Sequence, residues 1–275
     1  MRTAFILIAI LKSQVGFCQS VDSINSKAFE FYSSKQQFDS AIYYYKTLQS
    51  LYPDYRTAYI TYRIGMSLLK NEDTLQAKEY LSKSLLTSEP LEYESCDACG
   101  KIGDIYFAQH NYSSALKYYD SITIKYSGFP YDPCQYKGLT IKFLKSLCLD
   151  KLGYTDSAIS ILTPYMFEAE GYRTLNYEKM VDAFIAMLRK VYPDSKIKNE
   201  LKAGLKGIVY KIDNSPRAGE KDVECFMNFF SKKVILVGAG ISKTIPGAEI
   251  PSFFQKPFAI RQLKSSPAYK SIMSL

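Results

Sequence analysis

Four alanines set the register of the first 165 residues. Ala41, Ala77, Ala115 and Ala158 each lie in a short stretch that continues into an aromatic or aliphatic face: FDSAIYYYKTL from Phe38, TLQAKEYLSKSL from Thr74, YSSALKYYDSI from Tyr112 and TDSAISILTPY from Thr155. Twelve residues before Ala77 and Ala115 stand Gly65 and Gly103, preceded by Ile64 and Ile102; the equivalent places before Ala41 and Ala158 hold Phe29 and Ser146. Two antiparallel helices joined by a tight turn approach closely only where small residues stand at the crossing. Gly65 with Ala77 and Gly103 with Ala115 would supply them, while Phe38 and Tyr112, three positions before the alanine, fill the gap beside the turn. Turn-forming residues fall between the paired stretches, at Ser34 to Gln37, Asn71 to Asp73, His110 to Asn111 and Gly153 to Tyr154. Pro53 and Pro90 stop the second helices. The alanines are 36, 38 and 43 residues apart, so insertions separate the units, the longest around Ser127 to Asp132.

Past Tyr165 the helical period continues without the repeat marks. Leu175, Met180, Phe184, Leu188 and Val191 share one helical face, and Ile197, Leu201, Leu205, Ile208 and Val209 share another after Pro193 and Asp194. From Asn214 the character changes. Gly, Pro and charges occupy Ser215 to Asp222, then two β-prone runs, Phe226 to Phe230 and Val234 to Val237, flank Ser231, Lys232 and Lys233 as a candidate hairpin. The rest, with Pro246, Pro251, Pro257 and Pro267, reads as an irregular tail laid on the helices or disordered in part.

The recurring glycine, alanine and aromatic marks resemble the tetratricopeptide repeat, a helix–turn–helix unit of about 34 residues. The resemblance covers Asp22 to Tyr165; its fourth unit departs from the pattern, with Ser146 where glycine is usual and Thr155 where an aromatic is usual. It implies an all-α, right-handed solenoid of about four repeats over residues 22–165. Residues 166–213 would then be capping helices that cover the open end, and 214–275 a basic C-terminal segment, irregular or a β-hairpin. It also implies that the first helix of each unit lines a concave groove. The partner-binding residues there would be Tyr59, Tyr62, Met66, Asp104, Phe107, Phe143 and Leu147, with Ser26 and Glu30 from the first unit. Tyrosine and other aromatic side chains suit capture of a peptide or helix, because they bury much area at little entropic cost. Family members that grip a terminal carboxylate use paired Lys and Asn, and Ser26 and Glu30 stand in those places here, which does not support that activity. The implied function is a protein–protein scaffold or adaptor.

The N-terminus changes the setting. Arg2, the apolar run Ala4 to Leu11 and a polar stretch with small residues have the layout of a secretory signal over residues 1–18, with a cut after Cys18. A disordered leader or a buried first helix remains the alternative, and Phe17 disfavours a lipid anchor on Cys18. The expectation is an exported protein: periplasmic, outer-membrane-associated or secreted. Charge is uneven. Residues 19–165 carry 15 basic and 16 acidic side chains, and residues 166–275 carry 18 and 11, so the second part holds a surplus of seven. That surplus makes peripheral contact with an envelope surface or anionic ligand the second reading, and export argues against nucleic acid. Oligomeric state is not legible.

Candidate chemistry is thin. Val234 to Ser242 reads VILVGAGIS, similar to the opening of a dinucleotide-binding fold or a sirtuin. The third glycine would fall at Lys243, however, Pro246 would break the helix that receives the pyrophosphate, and a single histidine, His110, lies far upstream. Cys96 and Cys99 form a CxxC, but Cys134 and Cys148 are not a second one, so a metal site is not supported. In an oxidising compartment, Cys96 or Cys99 could instead bridge to Cys134. His110 in a turn and Glu92 with Glu94 read as solvated. No catalytic residue, metal or cofactor is expected.

Overall fold

The computed structural model describes residues 20–87, 93–125, 139–164, 177–214, 218–237, 243–246, 264 and 266–274. The expected signal segment, the insertion around Ser127 to Asp132, Cys134, the glycines of VILVGAGIS, Pro251 and Pro257 lie outside them. The chain divides into two compact units, Met1–Ile102 and Gly103–Leu275.

In the first unit, α1 (Val21–Ser33), α2 (Phe38–Leu51), α3 (Thr57–Lys70) and α4 (Thr74–Thr87) pack each on the next. The start of α5 (Tyr93–Ala108) completes the unit. Ile24, Ala28, Ala41, Tyr45, Leu48, Ile60, Ile64, Leu68 and Ala77 form one apolar cluster. The expected close approach is present: a Cβ on Gly65 would come within 2.9 Å of Leu81 Cγ, and Ala77 is fully buried one helical turn earlier.

In the second unit, α6 (Tyr112–Lys125), α7 (Leu139–Lys151), α8 (Thr155–Leu162) and α9 (Tyr177–Val191) again pack in succession. A Cβ on Gly103 would sit 2.4 Å from Tyr119 Cε1, four residues after Ala115, the same register as Gly65 against Leu81. Phe38 lies edge-on to Tyr32, and Tyr112 edge-on to Phe107, so the aromatics before the alanines do close the space beside the turns.

The turns carry a signature in the backbone that the residue types alone do not announce. Gln36, Glu72, His110 and Gly153, each five residues before its alanine, have φ of 53°, 63°, 59° and 88°. In three of them the next amide reaches back five residues, Asp73 to Leu68, Asn111 to Tyr106 and Tyr154 to Leu149, at 2.8–3.0 Å. This satisfies carbonyls that a helix end leaves orphaned. The side chains of Asp73 and Asn111 then accept from the amides of Gln76 and Ser114, both at 3.1 Å, starting the next helix. One left-handed residue thus ends a helix and aims the chain into the next.

The C-terminal part differs from the sequence expectation in three places. The helical face predicted through Ile208 and Val209 stops earlier: α10 (Asp194–Lys206) ends at Gly207, and β1 (Val209–Asn214) begins. The hairpin is present as β2 (Glu220–Phe229) and β3 (Lys232–Val237), joined through Phe230 and Ser231, both with positive φ, as a two-residue type I′ turn requires. It belongs to a four-stranded antiparallel sheet in which β1 pairs along one edge of β2, while β3 and β4 (Lys243–Pro246) share the other. The tail is also not wholly irregular. Pro267 opens α11 (Pro267–Ser274), which packs on α9 and α10. Ser266 Oγ accepts from Tyr269 N–H and the Asp182 carboxylate from Ala268 N–H, so α9 itself caps α11. Cys225, Met227, Phe229, Val234 and Leu236 bury one sheet face in the core built by α7, α8, α9, α10 and α11. At Gly204 the backbone of α10 comes so close to β2 that a Cβ would meet the Asn228 carbonyl at 2.7 Å.

Candidate functional site

The seven expected groove residues divide between the units, Tyr59, Tyr62 and Met66 on α3 in the first, and Asp104, Phe107, Phe143 and Leu147 in the second. Tyr59, Met66 and Phe107 are half-buried and present part of their surface. Tyr62 is a correction. It is only 3% exposed, and its hydroxyl donates to the buried Asp97 carboxylate at 2.6 Å, so it fastens α3 to α5. Phe143 is likewise in the core at 8% exposure, with Leu147 packed against the same cluster. The spacing that puts a residue on the first-helix face does not decide how deeply its neighbours cover it. Asp104 accepts from Tyr119 Oη at 2.8 Å. Burial, and then the Asp104 carboxylate, push the Tyr119 phenol up, so it remains the donor in that bond.

The residue that organises the α1–α3 face was not singled out from sequence. Arg63 stands one position from Tyr62 and four from Tyr59, and its guanidinium carbon lies 5.5 Å from the Phe29 ring, 5.3 Å from Tyr32, 5.0 Å from Tyr59 and 5.8 Å from Tyr62. Each such contact is worth about 0.5–2 kcal/mol, more where water is excluded. Arg63 is half-buried and its Nε is covered without a hydrogen-bond partner. Burial pushes the Tyr32 phenol up, with the Arg63 charge acting against that shift. The signal available in sequence was the TAYITYRIGM run itself: Tyr59, Tyr62, Arg63 and Met66 fall on one helical face at spacings of three and four. Tyr59 also carries Arg56 over its ring at 4.1 Å. What results is a face of aromatic rings around a positive group, with Phe29 still 44% exposed at its rim.

Among the described residues no group of three His, Cys, Asp or Glu could hold a metal ion, and no helix is long and apolar enough to cross a membrane. The segment after the glycines of VILVGAGIS, Lys243–Pro246, is a strand paired with β2, where a dinucleotide site needs a helix N-terminus. His110 Nδ1 lies 2.8 Å from Tyr112 Oη at an exposed turn. Cys96 is disulfide-bonded, with its partner outside the described residues, whereas Cys99, Cys148 and Cys225 are buried and not disulfide-bonded.

No protein-family model and no curated protein matches this chain. Among solved structures, it resembles a crystal structure of MamA at 14% identity and a TM-score of 0.46, over 62% of this chain and 82% of that one. A tetratricopeptide repeat protein from Parabacteroides merdae aligns at 12% identity and TM-score 0.46, covering 63% of this chain and 68% of that one. Pseudomonas aeruginosa pilF aligns at 19% identity and TM-score 0.40 over 55% of this chain, which spans 61% of the pilF chain.

Proposed function

We propose that this protein is an exported, non-catalytic scaffold that holds a protein or peptide segment against the α1–α3 face. The observation that carries the reading is the half-exposed ring cluster about Arg63, formed by Phe29, Tyr32 and Tyr59 with Met66 on the same helix face. Tyrosine and arginine are, with tryptophan, the side chains enriched where protein interfaces concentrate their energy. The disulfide at Cys96 supports export, since such bonds persist in oxidising compartments.

The test is cross-linking and recovery from the native envelope, comparing wild type with Phe29→Ala/Tyr59→Ala/Met66→Ala, all with exposed or half-exposed side chains. A partner held by wild type and lost from a still-folded triple variant supports the face as the working surface; equal recovery by both overturns it. Cell fractionation with N-terminal sequencing tests export, which fails if the chain stays with the cytoplasm uncut.

The second reading, contact with an anionic ligand or envelope surface through the basic C-terminal half, is favoured by the exposed Lys196, Lys202 and Lys206 of α10. Lys232 and Lys233 are engaged inside the unit, with Ser160 and Glu224. Binding to anionic vesicles that weakens with salt and with Lys202→Glu/Lys206→Glu would favour this reading over the first.

A further inference from the structure

We infer that the free edge of β1 is a self-association surface, on which a second copy of this chain pairs antiparallel with the two-fold axis at Ile212. β1 lies at the end of the sheet order, bonded to β2 on one side and to no other strand among the described residues. Its side chains are exposed on both faces: Val209 is 39% exposed, Tyr210 37% and Ile212 46%, and Lys211 and Asp213 are exposed as well. An exposed strand that carries apolar residues, with neither proline nor bulge to blunt it, is a ready template for another strand.

Charge selects the occupant and the register. Two identical edges related by a two-fold axis perpendicular to the sheet pair antiparallel, with like faces aligned. Centring that axis on Lys211 or on Asp213 sets like charges against each other. Centring it on Ile212 sets Lys211 opposite Asp213 of the second copy, twice, and stacks Ile212 on its own equivalent. Both charges are available for this. Lys211 lies 5.6 Å from the Phe226 ring, while the glutamate opposite it in register, Glu224, is already paired with Lys233. Asp213 is opposite an aspartate of β2 in register, so its own sheet provides no cation across from it. The strand therefore carries, two residues apart, a cation and an anion that complement each other only when the strand meets itself in reverse.

The edge is short, and strand pairing of this length buries less area than a standard stable interface, so the expected association is weak and concentration-dependent. The test is sedimentation equilibrium of the full chain at low salt, from about 10 to about 200 µM, the range in which such small interfaces are populated. Wild type is expected to shift from monomer to dimer across it. Lys211→Asp and Asp213→Lys each turn both cross-strand pairs into like charges and are expected to weaken dimerisation roughly tenfold or more. The double exchange Lys211→Asp/Asp213→Lys restores the complementarity and is expected to recover the wild-type constant. Circular dichroism confirms that these exposed substitutions leave the fold intact. A wild type that stays monomeric throughout overturns the inference, and so does a dimer that the single reversals leave unchanged or that the double exchange fails to restore.

Discussion

Single side chains fix how the helices meet. Tyr62→Phe keeps the ring and removes the donor to Asp97, a carboxylate only 1% exposed. It is expected to lower stability by about 1–3 kcal/mol, read as a shift in the urea midpoint. The buried thiols give a pH dependence with a definite sign. Burial, and then the Asp120 and Asp104 charges, push Cys148 up to about 12 from an ordinary value of 9.0; burial does the same to Cys225, with the Tyr210 hydrogen bond acting the other way. Their folded pKa values are raised, so the folded chain keeps protons that the unfolded chain loses. Stability from these groups is whole below about pH 9 and falls as pH rises from there toward about 12. Denaturant midpoints measured across that window should decline, and Cys148→Ala should decline less steeply from its own starting point. The same burial predicts that neither thiol is alkylated in the native protein at neutral pH.

Helix pairs answer to the crossings and the turns. Gly103→Ala would place a methyl 2.4 Å from a Tyr119 ring that is itself held by its hydrogen bond to Asp104. An expected loss of about 1–3 kcal/mol follows, since the ring cannot retreat without breaking that bond. At the turn between α3 and α4 the sign reverses. Glu72 is exposed and left-handed at φ 63°, a conformation that costs an L side chain roughly 1 kcal/mol and glycine almost nothing. Glu72→Gly is therefore expected to raise the thermal midpoint, and a lowered midpoint would show that the side chain contributes something the turn geometry does not explain. The repeat register was legible at this scale because alanine, glycine and the neighbouring aromatics act locally, within one hairpin. The left-handed residue was not, because Gln36, Glu72 and His110 share no chemistry; they share only a position five residues before an alanine.

At the level of the whole chain, one covalent link is prominent. Reduction of the disulfide at Cys96 is expected to cost about 2–4 kcal/mol by releasing the unfolded chain from a closed loop. Unfolding with and without reductant checks this, and peptide mapping under non-reducing conditions should find Cys96 oxidised while Cys99, Cys148 and Cys225 remain thiols. Identical unfolding curves would mean that the link constrains little of the unfolded chain. The second unit shows how far local patterns reach. Phe226 to Phe230 and Val234 to Val237 announced a hairpin, since two adjacent β-prone runs find each other through a short turn. The flanking strands were hidden: Val209 and Ile208 continue a helical face in sequence, and Pro246 suggested an irregular tail.

By itself, the sequence determined the helical hairpins, their register and the small residues at their crossings, because those depend on periodicity and on contacts between residues close in the chain. Tertiary structure alone decided that Tyr62 and Phe143 are sealed in while Tyr59 and Met66 stay partly open, since coverage depends on neighbours from other helices. It also decided that Val209–Asn214 leaves the helix to pair with β2, and that α11 is capped by Asp182 across 86 residues of chain. The Arg63 ring cluster belongs to both: its spacing is written along α3, but Phe29 and Tyr32 close it only because α1 packs nearby, which no local pattern encodes.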